Sequence, residues 1–404
     1  MSAHNFTMPT EPLTPDFYDY TWNAPDRAAI DGRFVAISWA DGVELRAFDL
    51  WLRENAVGAG GVDPATREGL IDPAHLAVET RVMNATIRDD GALVVTFSPG
   101  DVQSVFHPGW LRHVADGQHT PSSWLPEQVT WTAATLPEPP THDGTVALDD
   151  DEVLHAFAND LVRYGIARLR GLSDTPAAGE QLAARLGGAR MTNFGDFWDV
   201  KTIIDQSGEP GTNSTANTNL RLGPHTDLPT REVPPGFQFL QCLVNETTGG
   251  HSTMADGAAI VAELAADYPD DYDVLTTQSW IFFNRGDGID HRWSGPFIDL
   301  GGPASPLTLR AFYPVRAFPD MPEAEMPRAY EAMHRFSILA DDPKFRLSSP
   351  LLPGDLVGFD NRRVLHGRDA YASGGARHLR GFYVDRDDVL SFTRASNRKR
   401  SRHA

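Results

Sequence analysis

The sequence predicts a mainly β protein with flanking helices, an α+β fold in which a jelly-roll domain follows a small β-rich one. Three observations predict it. From Phe237 onward the chain falls into short apolar runs (FQFLQCLVN, SWIFFN, LTLRAFY, DLVGFD and RGFYV) broken by Gly, Pro and Asp, after a stretch with helical spacing. A few helices followed by many short strands is the pattern of a jelly roll with helical buttresses. The 35 Gly and 30 Pro among 404 residues are spread along the chain, which favours turns and short strands over long helices. Hydrophobic residues at 41% and aromatics at 10% supply a core and exclude disorder throughout.

Residues 1–24 are polar and aperiodic and read as an arm. Residues 25–117 read as the small domain. FVAISWADGVELRAFDLWLREN alternates about Asp41-Gly42 and TRVMNATIRDDGALVVTFSPGD about Asp90-Gly91, two hairpin signals, and HPGWLRHVADG closes the domain with a short helix. Residues 118–150, including LPEPPTHDG, read as a linker. Residues 151–395 read as the jelly-roll domain. They open with the helix DDDEVLHAFANDLVRYG, the strand IARLRG and the helix TPAAGEQLAARLGG, and EAEMPRAYEAMHRFSILADD is a helical insertion. Residues 396–404 form a basic tail.

The 35 Lys and Arg face 55 Asp and Glu, a formal charge of −20, so bulk charge argues against binding nucleic acid or an anionic membrane. No apolar window is long enough to cross a bilayer, and the first residues have no basic and apolar leader pattern. The expected location is cytoplasmic. Cys242 is the only cysteine, so this chain builds no internal disulfide, thiolate zinc site or iron–sulfur cluster. A metal must be held by His and carboxylate.

In RLGPHTDLP, His225 and Asp227 are two apart, and in an extended segment such residues point the same way. Alone the pair is equally a turn before Pro229. His366 ends an apolar strand in GDLVGFDNRRVLHGRDAY. Together the two imidazoles and the carboxylate match one face of an octahedral Fe(II), leaving cis positions for a chelating co-substrate and oxygen. A zinc hydrolase fits less well, since nothing nearby supplies its Glu base. Arg377 follows His366 by eleven residues in GGARHLRGFYVD. A hairpin through Gly374 and Gly375 is expected to set it beside the His. There its planar fork would bind the distal carboxylate of a 2-oxo acid. Alone, Arg377 is equally a surface arginine.

WLREN, GWLRH, YGIARLRGL, FGDFWDV, PHTDLP, PPGFQFLQCL, GGHSTMADG, GDLVGFDNRRVLHGR and RHLRGFYVD occur in order over nearly the whole chain. In these segments the sequence resembles the γ-butyrobetaine hydroxylase group of Fe(II)/2-oxoglutarate dioxygenases, within the taurine-dioxygenase-like family. The resemblance implies a catalytic double-stranded β-helix, a small N-terminal domain and a homodimer. It implies His225, Asp227 and His366 as ligands of Fe(II), Arg377 as the 2-oxoglutarate anchor, Ser252 as a second co-substrate contact, and O₂ as the oxidant. The reaction it implies is hydroxylation of an unactivated C–H bond in a small cationic substrate, a γ-butyrobetaine-like trimethylammonium compound. Alternatives are a trimethylammonium phosphonate, another small metabolite, or a non-catalytic metal-binding β-barrel.

Two departures from the family pattern stand out. Where relatives carry cysteines for structural zinc, this chain has Ala56-Val57-Gly58-Ala59-Gly60-Gly61, and Val102 falls about where the His would be. No structural zinc is expected, although His107 and His113 remain nearby. Phe194, Trp198 and Tyr383 match three positions of an aromatic cage for the ammonium. The fourth is Asn217 rather than Tyr, and Leu228 follows the Asp ligand where some relatives have Tyr or Asn. Arg221 and Arg231 are candidates for the substrate's anionic end, and Asn284 and Arg285 for a loop over the pocket.

Overall fold

The structure, a computed structural model, describes residues 12–201, 215–284, 288–301, 307–311, 317–372 and 375–401. The chain divides into two compact units, residues 1–123 and 124–404. No helix among the described residues is long and apolar enough to cross a membrane.

In the first unit, β1 (Arg27–Asp31), β2 (Phe34–Ser38) and β3 (Glu44–Phe48) form one antiparallel sheet, followed by the short helix α1 (Asp49–Glu54). A second sheet holds β4 (Arg81–Ile87), β5 (Leu93–Ser98) and β6 (Val102–Phe106), and α2 (Pro108–Ala115) follows. Both hairpin turns use the expected glycine in the left-handed region, Gly42 at φ +84° and Gly91 at φ +89°. Inward residues of both sheets, among them Val35, Ile37, Val95 and Phe97, share a core with Trp110 of α2. The loop from Ala56 to Val62 is closed by backbone hydrogen bonds. The amides of Gly61 and Val62 donate to Ala56 O, both at 3.2 Å, and Gly58 N donates to Val62 O at 3.0 Å. A Cβ on Gly61 would lie 2.4 Å from Arg53 O, so only glycine fits there. Both histidines left from the family pattern are used structurally. His107 Nδ1 caps α2 by accepting from Gly109 N and Trp110 N at 3.0 and 3.3 Å, and His113 pairs with Gln118 at 3.0 Å. The described part of the arm packs on this unit, with Trp22 edge-on to His107 at 4.9 Å and Tyr20 edge-on to His113 at 5.1 Å.

The second unit begins within the stretch expected as a linker, and that stretch is tied into it. Trp131 and Ala147 are buried, and Trp131 Nε1 donates to Tyr164 O at 2.7 Å. Strand β7 (Thr141–Asp143) then pairs in parallel with β8 (Ile166–Arg170). Between them runs α3 (Asp151–Tyr164), which starts where the Asp150 carboxylate accepts from Glu152 N and Val153 N. It stops at Gly165, whose φ of +72° a side chain would resist. Next come α4 (Pro176–Arg185), β9 (Phe197–Lys201), a short 3₁₀ turn (Thr215–Asn217), β10 (Leu222–His225), β11 (Phe237–Asn245) and β12 (Ser252–Asp256). Helices α5 (Gly257–Asp267) and α6 (Pro269–Thr277) lead into β13 (Ser279–Phe283), β14 (Arg292–Pro296), β15 (Ile298–Asp299), β16 (Thr308–Leu309) and β17 (Phe318–Asp320). The predicted insertion is α7 (Met326–Asp341). Last are β18 (Arg346–Ser349), β19 (Leu356–Asp360), β20 (Val364–Arg368), β21 (Arg377–Val384) and α8 (Arg386–Ser401). The basic tail is thus largely helix, and Asn397 donates to Trp124 O at 2.8 Å and to Asn159 Oδ1 at 2.9 Å on α3.

Two sheets carry the unit. One has four strands in the order β10-β20-β12-β18, and the other six in the order β7-β8-β19-β11-β21-β9. The chain passes between them at almost every step from β10 to β21, so each strand is antiparallel to partners distant in sequence. One apolar cluster takes residues from both sheets, with Ile166, Leu240, Cys242, Val357, Phe359 and Leu379 from the larger and Met254, Leu347 and Val364 from the smaller. The opposite face of the larger sheet, with Phe237, Phe239, Phe382 and Val384, packs on α3, α4 and α8. Period-two alternation in RHLRGFYV therefore sends Arg377, Leu379, Gly381 and Tyr383 to one face and Phe382 and Val384 to the other.

The turn from β19 to β20 is held by a buried ion pair. Arg363 Nε and Nη2 donate to the two Asp256 oxygens, both at 2.8 Å, and Asp256 also accepts from Trp131 N at 2.9 Å and caps α5 through Ala258 N. Removing one partner of such a pair leaves an uncompensated buried charge. Arg363→Ala should therefore cost about 3–5 kcal/mol, read as a lower urea midpoint at unchanged slope.

Candidate active site

Three strand ends build the site. His225 closes β10, His366 lies on β20 directly opposite it in register, and Asp227 follows two residues after His225. Antiparallel pairing sets the two imidazoles side by side with ring centroids 4.2 Å apart. Asp227 Oδ1 lies 3.4 Å from His225 Nε2, and Oδ2 lies 3.8 Å from His366 Nε2. One ligand atom from each residue falls within 4.8 Å of the others, and no other such metal-competent group occurs among the described residues. The donor set fits Fe(II), with two imidazole nitrogens and one carboxylate oxygen converging from one side.

The surrounding residues hold these donors in place. His225 Nδ1 lies 2.9 Å from Gly223 O, which turns Nε2 toward the centre. His366 Nδ1 has no hydrogen-bond partner, and its ring is clamped instead between His225 and Phe359, whose ring centroid is 4.8 Å away. Burial, and then the neighbouring His225, push His366 down to about 3. It is therefore a neutral ligand with no proton to displace. Burial alone would raise the Asp227 carboxyl, but His366, His225 and the Tyr383 hydroxyl outweigh it and keep it below the ordinary carboxylate range. The backbone of Asp227 is pinned at both ends by Asn361, whose Oδ1 accepts from Asp227 N at 2.7 Å and whose Nδ2 donates to Asp227 O at 3.0 Å. This clamp supports Leu228, which sits next in the chain at φ +53°, a strained region for a γ-branched residue.

Arg377 reaches the interior from β21, on the other sheet. The expected hairpin is not what brings it. Strand β20 pairs with β10 and β12, β21 pairs with β11 and β9, and Gly374 lies outside the described residues. Sheets facing each other, rather than adjacent strands, set Arg377 opposite the metal ligands. It is buried, has no carboxylate partner among the described residues, and stands 5.7 Å from the Tyr371 ring centroid. Burial pulls its guanidinium below the ordinary value, with Tyr371 opposing. On the other side of Tyr371, at 4.9 Å, is Arg368, which burial and then Arg377 push down to about 10. Arg368 spends its donors on the carbonyls of Ala216, Thr218 and Leu220, at 2.7, 2.6 and 2.7 Å. A buried cation without a counter-ion is costly, so Arg377 is suited to receive an anion from outside. Ser252 is buried directly across the strand pair from Arg368.

The substrate-side candidates separate. Trp198 and Tyr383 come together with ring centroids 5.6 Å apart, and Tyr383 donates to Asp227 Oδ2 at 2.7 Å. Gly381 makes this possible, since a Cβ there would lie 2.3 Å from the Trp198 ring. Phe194 is 54% exposed on the turn before β9, and no ring contact joins it to Trp198 or Tyr383 among the described residues. Asn217 is half-buried in the turn that Arg368 holds, beside β9. Leu228 is half-buried in the bend after Asp227. Arg221 is committed to Asp341 at 2.5 Å, so it is not available for a substrate anion. Arg231 donates to Asn193 Oδ1 at 3.1 Å and has no carboxylate partner among the described residues. Asn284 accepts from Thr230 Oγ1 at 2.9 Å, and Arg285 lies outside the described residues.

Sequence reasoning missed Asn361, Tyr371 and Arg368. Period two from His366 already sets Arg368 on the metal-facing side of its strand. Asn361 carries no comparable local signal, because its partner is 134 residues away.

Comparison with known proteins agrees with this geometry. Residues 134–383 match the family described as taurine catabolism dioxygenase TauD, TfdA family. The chain is 37% identical over 361 residues to the gamma-butyrobetaine dioxygenase of Pseudomonas sp. (strain AK-1), covering 88% of this chain and 92% of that one. It is 29% identical over 384 residues to the human gamma-butyrobetaine dioxygenase, covering 90% and 94%. It is also 28% identical over 375 residues to the mitochondrial trimethyllysine dioxygenase of Gallus gallus, covering 90% and 86%. The match takes in β10, β20 and β21 with all three metal donors and Arg377, and the chain belongs to the TauD/TfdA dioxygenase family.

Proposed function

We propose that the protein is an Fe(II)/2-oxoglutarate-dependent dioxygenase that hydroxylates an unactivated C–H bond in a small trimethylammonium compound, γ-butyrobetaine first and a carboxylate or phosphonate analogue second. The two sheets are its double-stranded β-helix, as their antiparallel strands and alternating connections suggest. When bound, iron with 2-oxoglutarate and O₂ supplies the oxidising power, giving succinate, CO₂ and one hydroxyl on the substrate. The protein's own residues do the positioning. His225, Asp227 and His366 hold the metal from one side, Arg377 takes the distal carboxylate of 2-oxoglutarate, and the packing of Phe359 on His366 keeps water off that flank.

The observation that carries the substrate reading is the aromatic corner of Trp198 and Tyr383, one wall of which is hydrogen-bonded to the metal-binding carboxylate. A desolvated cation gains up to about 2 kcal/mol over such rings. The relatives named for γ-butyrobetaine and trimethyllysine act on compounds that carry this group, and they support the same reading. Trp198→Ala is expected to raise KM for a trimethylammonium substrate roughly 10-fold or more. The KM for 2-oxoglutarate should stay within about 2-fold. Succinate release over a panel of trimethylammonium acids and phosphonates, with product mass in parallel, tests the reading. Turnover with a neutral amino acid or a sulfonate but with no quaternary ammonium compound would sink it.

A further inference from the structure

Tyr383 has two attachments that a cage residue alone does not need. Its ring packs against Trp198, and its hydroxyl donates to Asp227 Oδ2 at 2.7 Å, with the side chain only 1% exposed. The same carboxylate approaches His225 Nε2 through its other oxygen, Oδ1, at 3.4 Å. Asn361 fixes the Asp227 backbone, so the rotation of the carboxylate is the freedom that remains, and the Tyr383 hydroxyl restrains it. Burial, and then Asp227, hold the phenol proton on, so the hydroxyl stays a donor. Trp198 in turn can rest against this strand only because position 381 is glycine. Trp198, Tyr383 and Asp227 thus form one continuous path from the aromatic corner to the metal ligands.

We propose that Tyr383 is a positioning residue that holds Asp227 with Oδ1 turned to the metal and couples occupancy of the Trp198–Tyr383 corner to that ligand. A cation seated in the corner packs on the ring whose hydroxyl restrains the carboxylate. Seating it fixes the ring, the ring fixes the hydroxyl, and the hydroxyl fixes the ligand. Binding free energies are reciprocal, so a trimethylammonium compound should tighten metal binding by the same factor by which metal tightens the compound. The coupling rests on the substrate reading above; the restraint on Asp227 does not.

Tyr383→Phe separates the two tasks, because it keeps the ring and removes the hydroxyl. Mn(II) binding, followed by the electron paramagnetic resonance signal of the free ion, is expected to weaken about 10- to 100-fold, the usual effect of losing an outer-shell partner of a metal ligand. Affinity for γ-butyrobetaine should change less than about 3-fold in the same variant, since the ring face remains. In the wild type, γ-butyrobetaine should tighten Mn(II) binding, and in Tyr383→Phe it should not. Trp198→Ala should do the reverse, weakening the compound and leaving Mn(II) affinity alone. In the iron-loaded enzyme, Tyr383→Phe should release more succinate per hydroxylated product. An Mn(II) affinity within 2-fold of wild type in a Tyr383→Phe variant with native circular dichroism and melting overturns the proposal. Absence of any tightening by γ-butyrobetaine in a wild type that binds it overturns the coupling. A wild type that binds no trimethylammonium compound overturns the substrate reading and the coupling together, while the Mn(II) comparison still decides the restraint on Asp227.

Discussion

Replacing His225 by Ala is expected to abolish 2-oxoglutarate-dependent succinate release, with kcat/KM falling by more than about 1,000-fold, and to weaken Mn(II) binding beyond the 10- to 100-fold typical of outer-shell changes. The site has three donors and no described fourth residue to take over, and the two that remain sit on a strand and a bend fixed by pairing and by Asn361. The fold should survive, because the His225 backbone keeps its place on β10 and the lost contacts are the ring stack on His366 and the Nδ1 bond to Gly223. Metal titration and succinate assay on the same preparation check it. A non-catalytic metal-binding barrel would instead keep any partner binding while losing only the metal, so the variant also separates the two classes.

The second large effect is expected at Arg377. Arg377→Ala should raise KM for 2-oxoglutarate by roughly 30- to 1,000-fold, corresponding to about 2–4 kcal/mol for truncating one partner of a buried charge pair. Arg377→Lys should recover only part of this, since an ammonium lacks the two-pronged fork. Stability should move the other way. Arg377 is buried with no carboxylate beside it, so replacing it with Met removes an uncompensated charge and should leave the melting temperature equal or higher. A variant that loses 2-oxoglutarate and gains stability marks a residue kept for its ligand, whereas one that loses both marks a structural arginine. Titration of 2-oxoglutarate and a thermal melt, run on all three variants, decide between them.

Much of the fold follows from rules that act within a few residues. Asp41-Gly42 and Asp90-Gly91 turn as two-residue hairpins because glycine reaches positive φ there at no steric cost. Helix α3 begins at Asp150 and ends at Gly165 because a side-chain oxygen and a left-handed glycine satisfy its free ends. The stretch read as a linker shows where such rules run out. Its Pro and Thr content is that of an extended connector, and the burial of Trp131 depends on Tyr164, Arg363 and Asp256, none of them nearby in the chain. The basic end is similar, since its composition reads as solvated while Asn397 docks it on α3.

The sequence by itself determined the chemistry available at the site. It supplied two imidazoles and one carboxylate with no thiolate, an arginine and a tyrosine six apart on one strand face, and a tryptophan in a matching motif. Only the tertiary structure decided how these meet. It brought Arg377 from the facing sheet instead of through a hairpin, committed Arg221 to Asp341, left Phe194 exposed, and joined Tyr383 to Asp227 across 156 residues. The physical reason is range. Strand periodicity, caps and turns are set by neighbours within a few positions, whereas the pairing of two sheets is set by the burial of the apolar cluster between them, which no single segment specifies.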